Sequence, residues 1–88
     1  MKAIITVVGK DKAGIVAGVS TKLADLNLNI DDITQTILDD FFTMMMVVSS
    51  SDKKDFSLLR QELDALGEAL KVKINIQSAA IFDAMHNL

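Results

Sequence analysis

Two segments of this chain, residues 2–9 and 41–48, are apolar on both of their alternating faces, and this limits the available folds more than any other feature. A strand with one apolar face can lie over a core and meet water on its other side, whereas a strand apolar on both belongs in the middle of a sheet. In residues 2–9 the two faces are Ala3, Ile5, Val7 and Ile4, Thr6, Val8, while residues 41–48 carry Phe, Met and Val on both. Residues 30–38 alternate differently, with Ile33, Gln35 and Ile37 set against Thr34, Thr36 and Leu38. Residues 71–77 set Val72, Ile74 and Ile76 against Lys71, Lys73, Asn75 and Gln77, which reads as an edge strand guarded by lysine.

Between the first two strands the hydrophobic period becomes helical: Ile15, Val19, Leu23 and Leu26 form a stripe that Val16 and Ala24 widen. Asp11 or a neighbour is expected to cap this helix, and Asn27 or Asn29 to end it. Asp39 and Asp40 make a short turn that joins the second and third strands as a hairpin. A second helix follows, with Ser51 or Asp52 as its expected N-cap, Asp55 in its first turn, and Phe56, Leu59, Leu63, Leu66 and Leu70 as its buried stripe. Gly67 weakens its last turn by about 1 kcal/mol relative to alanine. Residues 79–88 carry Ile81, Phe82, Met85 and Leu88 and are expected to form a short amphipathic tail helix. The βαββαβ order, with the first and third strands central, predicts the α+β class. The expected architecture is a ferredoxin-like sandwich, a four-stranded antiparallel sheet with two helices on one face. No linker interrupts the pattern, so residues 1–88 are read as a single domain.

A chain of 88 residues buries only about 60% of its unfolded surface, and with half its residues hydrophobic it is expected to gain further burial as a homodimer. There is no cysteine and a single histidine, His86, so thiolate and multi-histidine metal sites are excluded and no cofactor is expected. The net charge of −3, with no basic cluster beyond Lys53 and Lys54, argues against direct binding of nucleic acid or of an anionic membrane. The start lacks a signal-peptide core, and charges or glycine interrupt every apolar run, so a cytoplasmic location is expected.

This scaffold serves many functions, so the choice falls to local chemistry. An RNA-recognition domain needs aromatics on its two central strands in basic surroundings; the first strand here has no aromatic. A metallochaperone needs a thiolate pair. A small acylphosphatase-like hydrolase needs a guanidinium cradle in the first loop, where this chain offers Lys10 and Lys12; its one arginine, Arg60, is on the second helix. The Met44, Met45, Met46 run alternates across a strand and reads as core and interface filling. Asp31 with Asp32 and Asp39 with Asp40 read as solvated strand-end and turn residues, and Gln35 as an amide directed into a dimer seam or simply solvated. What remains is the first loop. Gly14 at the mouth of the helix either lets a ligand approach the backbone or permits tight packing. Free helix N–H groups there favour a carboxylate, and Asp11 can accept from an ammonium group or cap the helix. Asn29 can return toward the same mouth with a donor and an acceptor. The candidate ligand-binding residues are therefore Asp11, Ala13, Gly14, Ile15, Asn29 and Ile30, and no catalytic or metal residue is assigned.

The stretch GKDKAGIVAGVSTKLADLNLNIDDITQTI, with its D-K-x-G-I-V opening and N-x-N-I exit, resembles the ACT domain family, and the resemblance extends over nearly the full chain. It is similar to small stand-alone ACT proteins and to the ACT modules of the glycine-cleavage repressor and of formyltetrahydrofolate deformylase. The resemblance implies a non-catalytic regulatory module that dimerises. It implies an amino acid or small carboxylate ligand where the first loop meets a neighbouring subunit, and an effector protein for output. In serine-sensing modules of the family the ligand contacts fall at positions corresponding to Gly9, Asp11 and Asn29. Asn29 matches that pattern, Gly9 lacks the imidazole, and Asp11 carries a charge that repels a carboxylate, so serine specificity is not carried over. A pure protein-interaction module without a metabolite is the competing expectation.

Overall fold

The computed structural model describes residues 1–10 and 13–80. In chain order the elements are β1 (Lys2–Lys10), α1 (Ile15–Asp25), β2 (Asn29–Leu38), β3 (Phe41–Ser49), α2 (Phe56–Leu70) and β4 (Lys73–Ser78). They form one four-stranded sheet in the order β2-β3-β1-β4, with every pairing antiparallel. The two strands apolar on both faces are the central ones, with one face under the helices and the other open, where Val8, Phe41 and Met45 remain partly exposed. The expected tail helix falls mostly on residues 81–88, which lie outside the described residues.

One face of the sheet carries the core. β1 contributes Ala3, Ile5 and Val7, β3 contributes Phe42, Met44, Met46 and Val48, and β4 contributes Ile74 and Ile76. Over them α1 lays Ile15, Val19 and Leu23, and α2 lays Leu59 and Leu63. Each such aliphatic side chain contributes roughly 1.5–3 kcal/mol by leaving water. Leu26 and Val16 pack at the margin of the core, whereas Ala24, expected to widen the α1 stripe, is exposed. Lys22 Nζ of α1 meets Glu62 Oε2 of α2 at 2.5 Å, a half-exposed pair that tethers the helices modestly.

Helix ends depart from the sequence expectation at both ends of α2, whereas α1 ends at Asn27, one of its two expected positions. The N-cap of α2 is Asp55, not Ser51 or Asp52; its carboxylate accepts from the N–H groups of Ser57 at 2.9 Å and Leu58 at 3.4 Å. Ser50 Oγ meanwhile takes the Asp52 N–H at 3.1 Å, which holds residues 50–52 in a bend before the helix. α1 ends at Asn27, whose left-handed φ of 60° lets the Leu28 N–H reach back to the Leu23 carbonyl at 2.9 Å; Asn29 is already in β2. α2 ends the same way on Lys71 at φ 61°, with the Val72 N–H donating to the Gly67 carbonyl at 2.9 Å. Lys71 and Val72 therefore belong to the helix exit, and β4 starts two residues later than its alternation suggests.

β2 contains a bulge that the sequence reading lacks. Ile30 faces Val48 and Asp32 faces Val47, which leaves Asp31 as the extra residue. The insertion carries Ile30 onto the same sheet face as Ile33, since their partners Val48 and Met46 both point into the core. Met45, between the buried Met44 and Met46, points to the open face. No helix among the described residues is long and apolar enough to cross a membrane.

Candidate functional site

α1 begins on Gly14, whose φ of 88° places the chain in the left-handed region where a side chain is disfavoured. A Cβ built there would meet none of the described residues within 4 Å, so tight packing against them is not the reason for this glycine. Its carbonyl accepts the first helical bond, from the Gly18 N–H at 2.8 Å. No side chain among the described residues caps the helix, and its first turn carries no acidic residue. The N–H groups of Ile15, Val16 and Ala17 precede that first bond and lack helical acceptors, so the positive end of the helix faces the β1–α1 loop. Asp11, assigned to this site from the sequence, lies outside the described residues.

Beside the start of α1, a groove of about 540 Å³ runs to the β2–β3 hairpin. Ala13, Val16, Ile37 and Phe42 give it apolar walls, Gln35 offers an amide, and Asp39 and Asp40 form an acidic rim. Lys10 Nζ lies 3.8 Å from Asp40 Oδ2 and 5.8 Å from the centre of the Phe41 ring. Both charged groups are more than half exposed, so the pair orients the rim more than it stabilises the fold. Carboxylate-seeking amides, an acidic rim and an apolar floor together suit a zwitterion with an aliphatic side chain. A second depression, of about 460 Å³, lies at the α2–β4 junction, where Asp64, Glu68, Lys71 and Lys73 are the solvated charges of a helix exit.

Asn29 does not join this groove within one chain. Lys10 pairs with Phe41 at the hairpin end of the sheet, whereas Asn29 pairs with Ser49, which in turn pairs with Lys2. At about 3.3 Å per residue along β1, the two ends are roughly 26 Å apart. Ile30 goes with Asn29. The expectation that Asn29 returns to the helix mouth fails because β1 and β2 flank β3, both antiparallel to it, and so run parallel to each other; α1 therefore carries the chain back to the end where β1 began. Ala13, Gly14 and Ile15 are brought together; Asn29 and Ile30 are not brought to them.

At its own end Asn29 is engaged. Its Nδ2 donates to Asp31 Oδ1 at 2.7 Å, and Ser49 Oγ donates to the same oxygen at 3.0 Å. The Ser49 hydroxyl above all, then the Asn29 amide, with a smaller pull from Lys2, hold the Asp31 carboxyl below its ordinary pKa. A carboxyl depressed on folding adds stability above its unfolded pKa, and that stability fades as pH falls through the folded value. Ser49→Ala is therefore expected to raise the Asp31 midpoint in an NMR titration of its carboxyl carbon, by more than Asn29→Ala raises it. An unmoved midpoint in both variants would contradict this network. The groove, the hairpin rim and the bulge were missed from the sequence; two isoleucines three apart, Ile30 and Ile33, were the available signal for the bulge.

An ACT domain family profile matches residues 2–77. The UPF0237 protein of Streptococcus mutans is 75% identical over 88 residues, a match that covers 100% of both chains. An ACT domain protein from Streptococcus pneumoniae superposes with a TM-score of 0.90 at 72% identity, covering 94% of each chain. The formyltetrahydrofolate deformylase of Burkholderia mallei shares the fold with a TM-score of 0.77 at 23% identity, over 88% of this chain and 28% of that one. The regulatory subunit of aspartate kinase from Thermus thermophilus gives a TM-score of 0.66 at 26% identity, over 86% of this chain and 50% of that one.

Proposed function

The chain belongs to the ACT domain family, and from that membership we propose that it is a regulatory module that binds an amino acid or a similar small metabolite beside the β1–α1 loop. It acts in this reading as a sensor and not as an enzyme. The observation that carries the reading is the start of α1: a left-handed Gly14 with open space at its Cβ position, and a helix N-terminus without a side-chain cap among the described residues, next to the groove. A ligand carboxylate takes the amides that follow Gly14, with Ala13 and Ile15 flanking it. The ammonium group is held by Asp11 or by the Asp39 and Asp40 rim. That a regulatory subunit of aspartate kinase has this fold is consistent with such a role.

Because Asn29 and Ile30 stand at the far end of the sheet, they serve this site only if a second copy supplies them. The functional unit is then a homodimer, and a ligand that bridges two copies stabilises the assembled form by mass action, about 2.7 kcal/mol at a hundred times its dissociation constant. Output passes to an effector protein that recognises the stabilised dimer.

The test is a thermal-unfolding screen of the intact protein against the free amino acids and simple carboxylates, with Gly14→Ala, Asp11→Ala and Asn29→Ala alongside. The expected result is a rise in midpoint with amino acids bearing aliphatic side chains, lost in Gly14→Ala and reduced in the other two. If no compound shifts the wild-type midpoint, the sensor reading falls and the protein is an interaction module.

A further inference from the structure

The sheet face opposite α1 and α2 carries an apolar patch of its own. Gln77 of β4, Ile4 of β1, Val47 of β3 and Asp32 of β2 are successive partners, so they form one row that crosses all four strands. Ile4 and Val47 are its apolar middle, and both are only partly buried. Together with Met45 and Thr34 of the next row they line a depression of about 190 Å³. That is room for one large side chain, since a cavity of about 150 Å³ holds a benzene molecule. The chain supplies a segment to fill it. β4 ends at Ser78, one residue beyond Gln77 and so at the start of this row, and Ala79 and Ala80 already have helical backbone. The residues that follow, IFDAMHNL, place Ile81, Met85 and Leu88 at helical spacing, with Phe82 beside them and Asp83, His86 and Asn87 on the opposite side.

We propose that residues 81–88 pack across the open face of their own sheet, along the row that runs from Gln77 toward Asp32. The dimensions match. From β4 to β2 is three strand spacings, about 14 Å, and ten residues of helix continued from Ala79 span about 15 Å. At that rise Ile81 and Phe82 come over Ile4 of β1, Met85 comes over Val47 of β3, and Leu88 reaches β2. Every apolar residue of the segment then meets the sheet, and Asp83, His86 and Asn87 face water. The segment is the occupant in preference to another chain because it is tethered to the end of β4. A short tether holds it at an effective concentration on the order of millimolar, which a separate chain has to match in solution.

Met45 stays at the margin of the covered patch, one row nearer the hairpin, where water still reaches it. The segment so placed closes the Ile4 and Val47 patch to other chains. It leaves the groove beside Gly14 untouched, because that groove lies at the hairpin end of the sheet. The inference makes no use of the ligand and stands apart from the sensor reading.

The natural absence of cysteine makes the test direct. In the full chain Val47→Cys is combined with Met85→Cys, and disulfide formation is followed at low protein concentration under mild oxidation. Thr43→Cys with Met85→Cys is the control, because Thr43 lies on the same face of β3 but about 13 Å nearer the hairpin. The expected product is a single chain lighter by two hydrogens, formed about tenfold faster with the cysteine at 47 than at 43. Equal rates, or no disulfide within one chain, overturn the proposal. A disulfide found only in dimers, and formed as readily when the two single-cysteine variants are mixed, puts a second copy on this face and overturns it as well. Methyl resonances give an independent reading. Met85→Asp is expected to shift those of Ile4 and Val47 and to leave those of Val8, two rows away, in place. Unmoved Ile4 and Val47 methyls, or a Val8 shift as large as theirs, overturn the placement.

Discussion

Replacing Met46 with alanine is expected to cost about 2–5 kcal/mol of stability, and the same change at the adjacent Met45 less than about 1 kcal/mol. Met46 is 1% exposed and sits between Ile5 of β1 and Ile33 of β2 on the helix-covered face. Its truncation removes buried methylene and thioether groups and leaves a void that the surrounding backbone fills only in part. Met45 is 39% exposed and lies between Thr6 and Thr34 on the open face, where water already reaches it. Urea midpoints at a common slope distinguish the two. Equal losses would mean that the open face is buried in solution, which would place an interface there. For a domain of this size the Met46 variant approaches the total folding free energy, so partial unfolding at ambient temperature is expected.

The second large effect is at Gly67. Alanine ordinarily strengthens a helix by about 1 kcal/mol over glycine, so propensity alone predicts that Gly67→Ala stabilises the chain. The structure reverses the sign. A Cβ at Gly67 would stand 2.7 Å from the Val72 carbonyl oxygen, a backbone atom held by the turn that links α2 to β4. Relieving that contact moves the turn or the helix, and a net loss of about 1–3 kcal/mol is expected. Gly14→Ala provides the contrast: none of the described residues lies within 4 Å of its Cβ position, and the loss of about 1 kcal/mol comes from the left-handed backbone. Thermal midpoints of the two variants should fall in that order. A stabilised Gly67→Ala would show that the α2–β4 turn yields freely.

The order of elements and the central place of β1 and β3 were legible because burial on two faces is written as a local pattern of apolar residues. The same holds for the buried stripe of α2, whose Leu59 and Leu63 recur at helical spacing, and for the division of the methionines between faces. The start of α2 was misplaced because Ser51, Asp52 and Asp55 are all competent caps; which one serves depends on where the backbone amides point. The separation of Asn29 from Gly14 was implicit in the predicted topology, since a crossover between parallel strands returns the chain to the end where it began. Proximity of the two motifs in sequence concealed it.

The alternation of strands and helices, the sheet order, the chemistry available at the helix mouth and the absence of thiol chemistry could all be read along the chain, because each depends on the period or identity of neighbouring residues. Only packing makes Asp31 a bulge, has Gly67 make room for a carbonyl, sets the hairpin turn as the rim of a groove, and leaves most of β2 exposed among the described residues. Those outcomes depend on which atoms meet once the elements are packed, and a covering helix stops where its own apolar stripe ends: α1 buries Ile15, Val19 and Leu23 over the centre of the sheet and approaches Ile37 only with Val16.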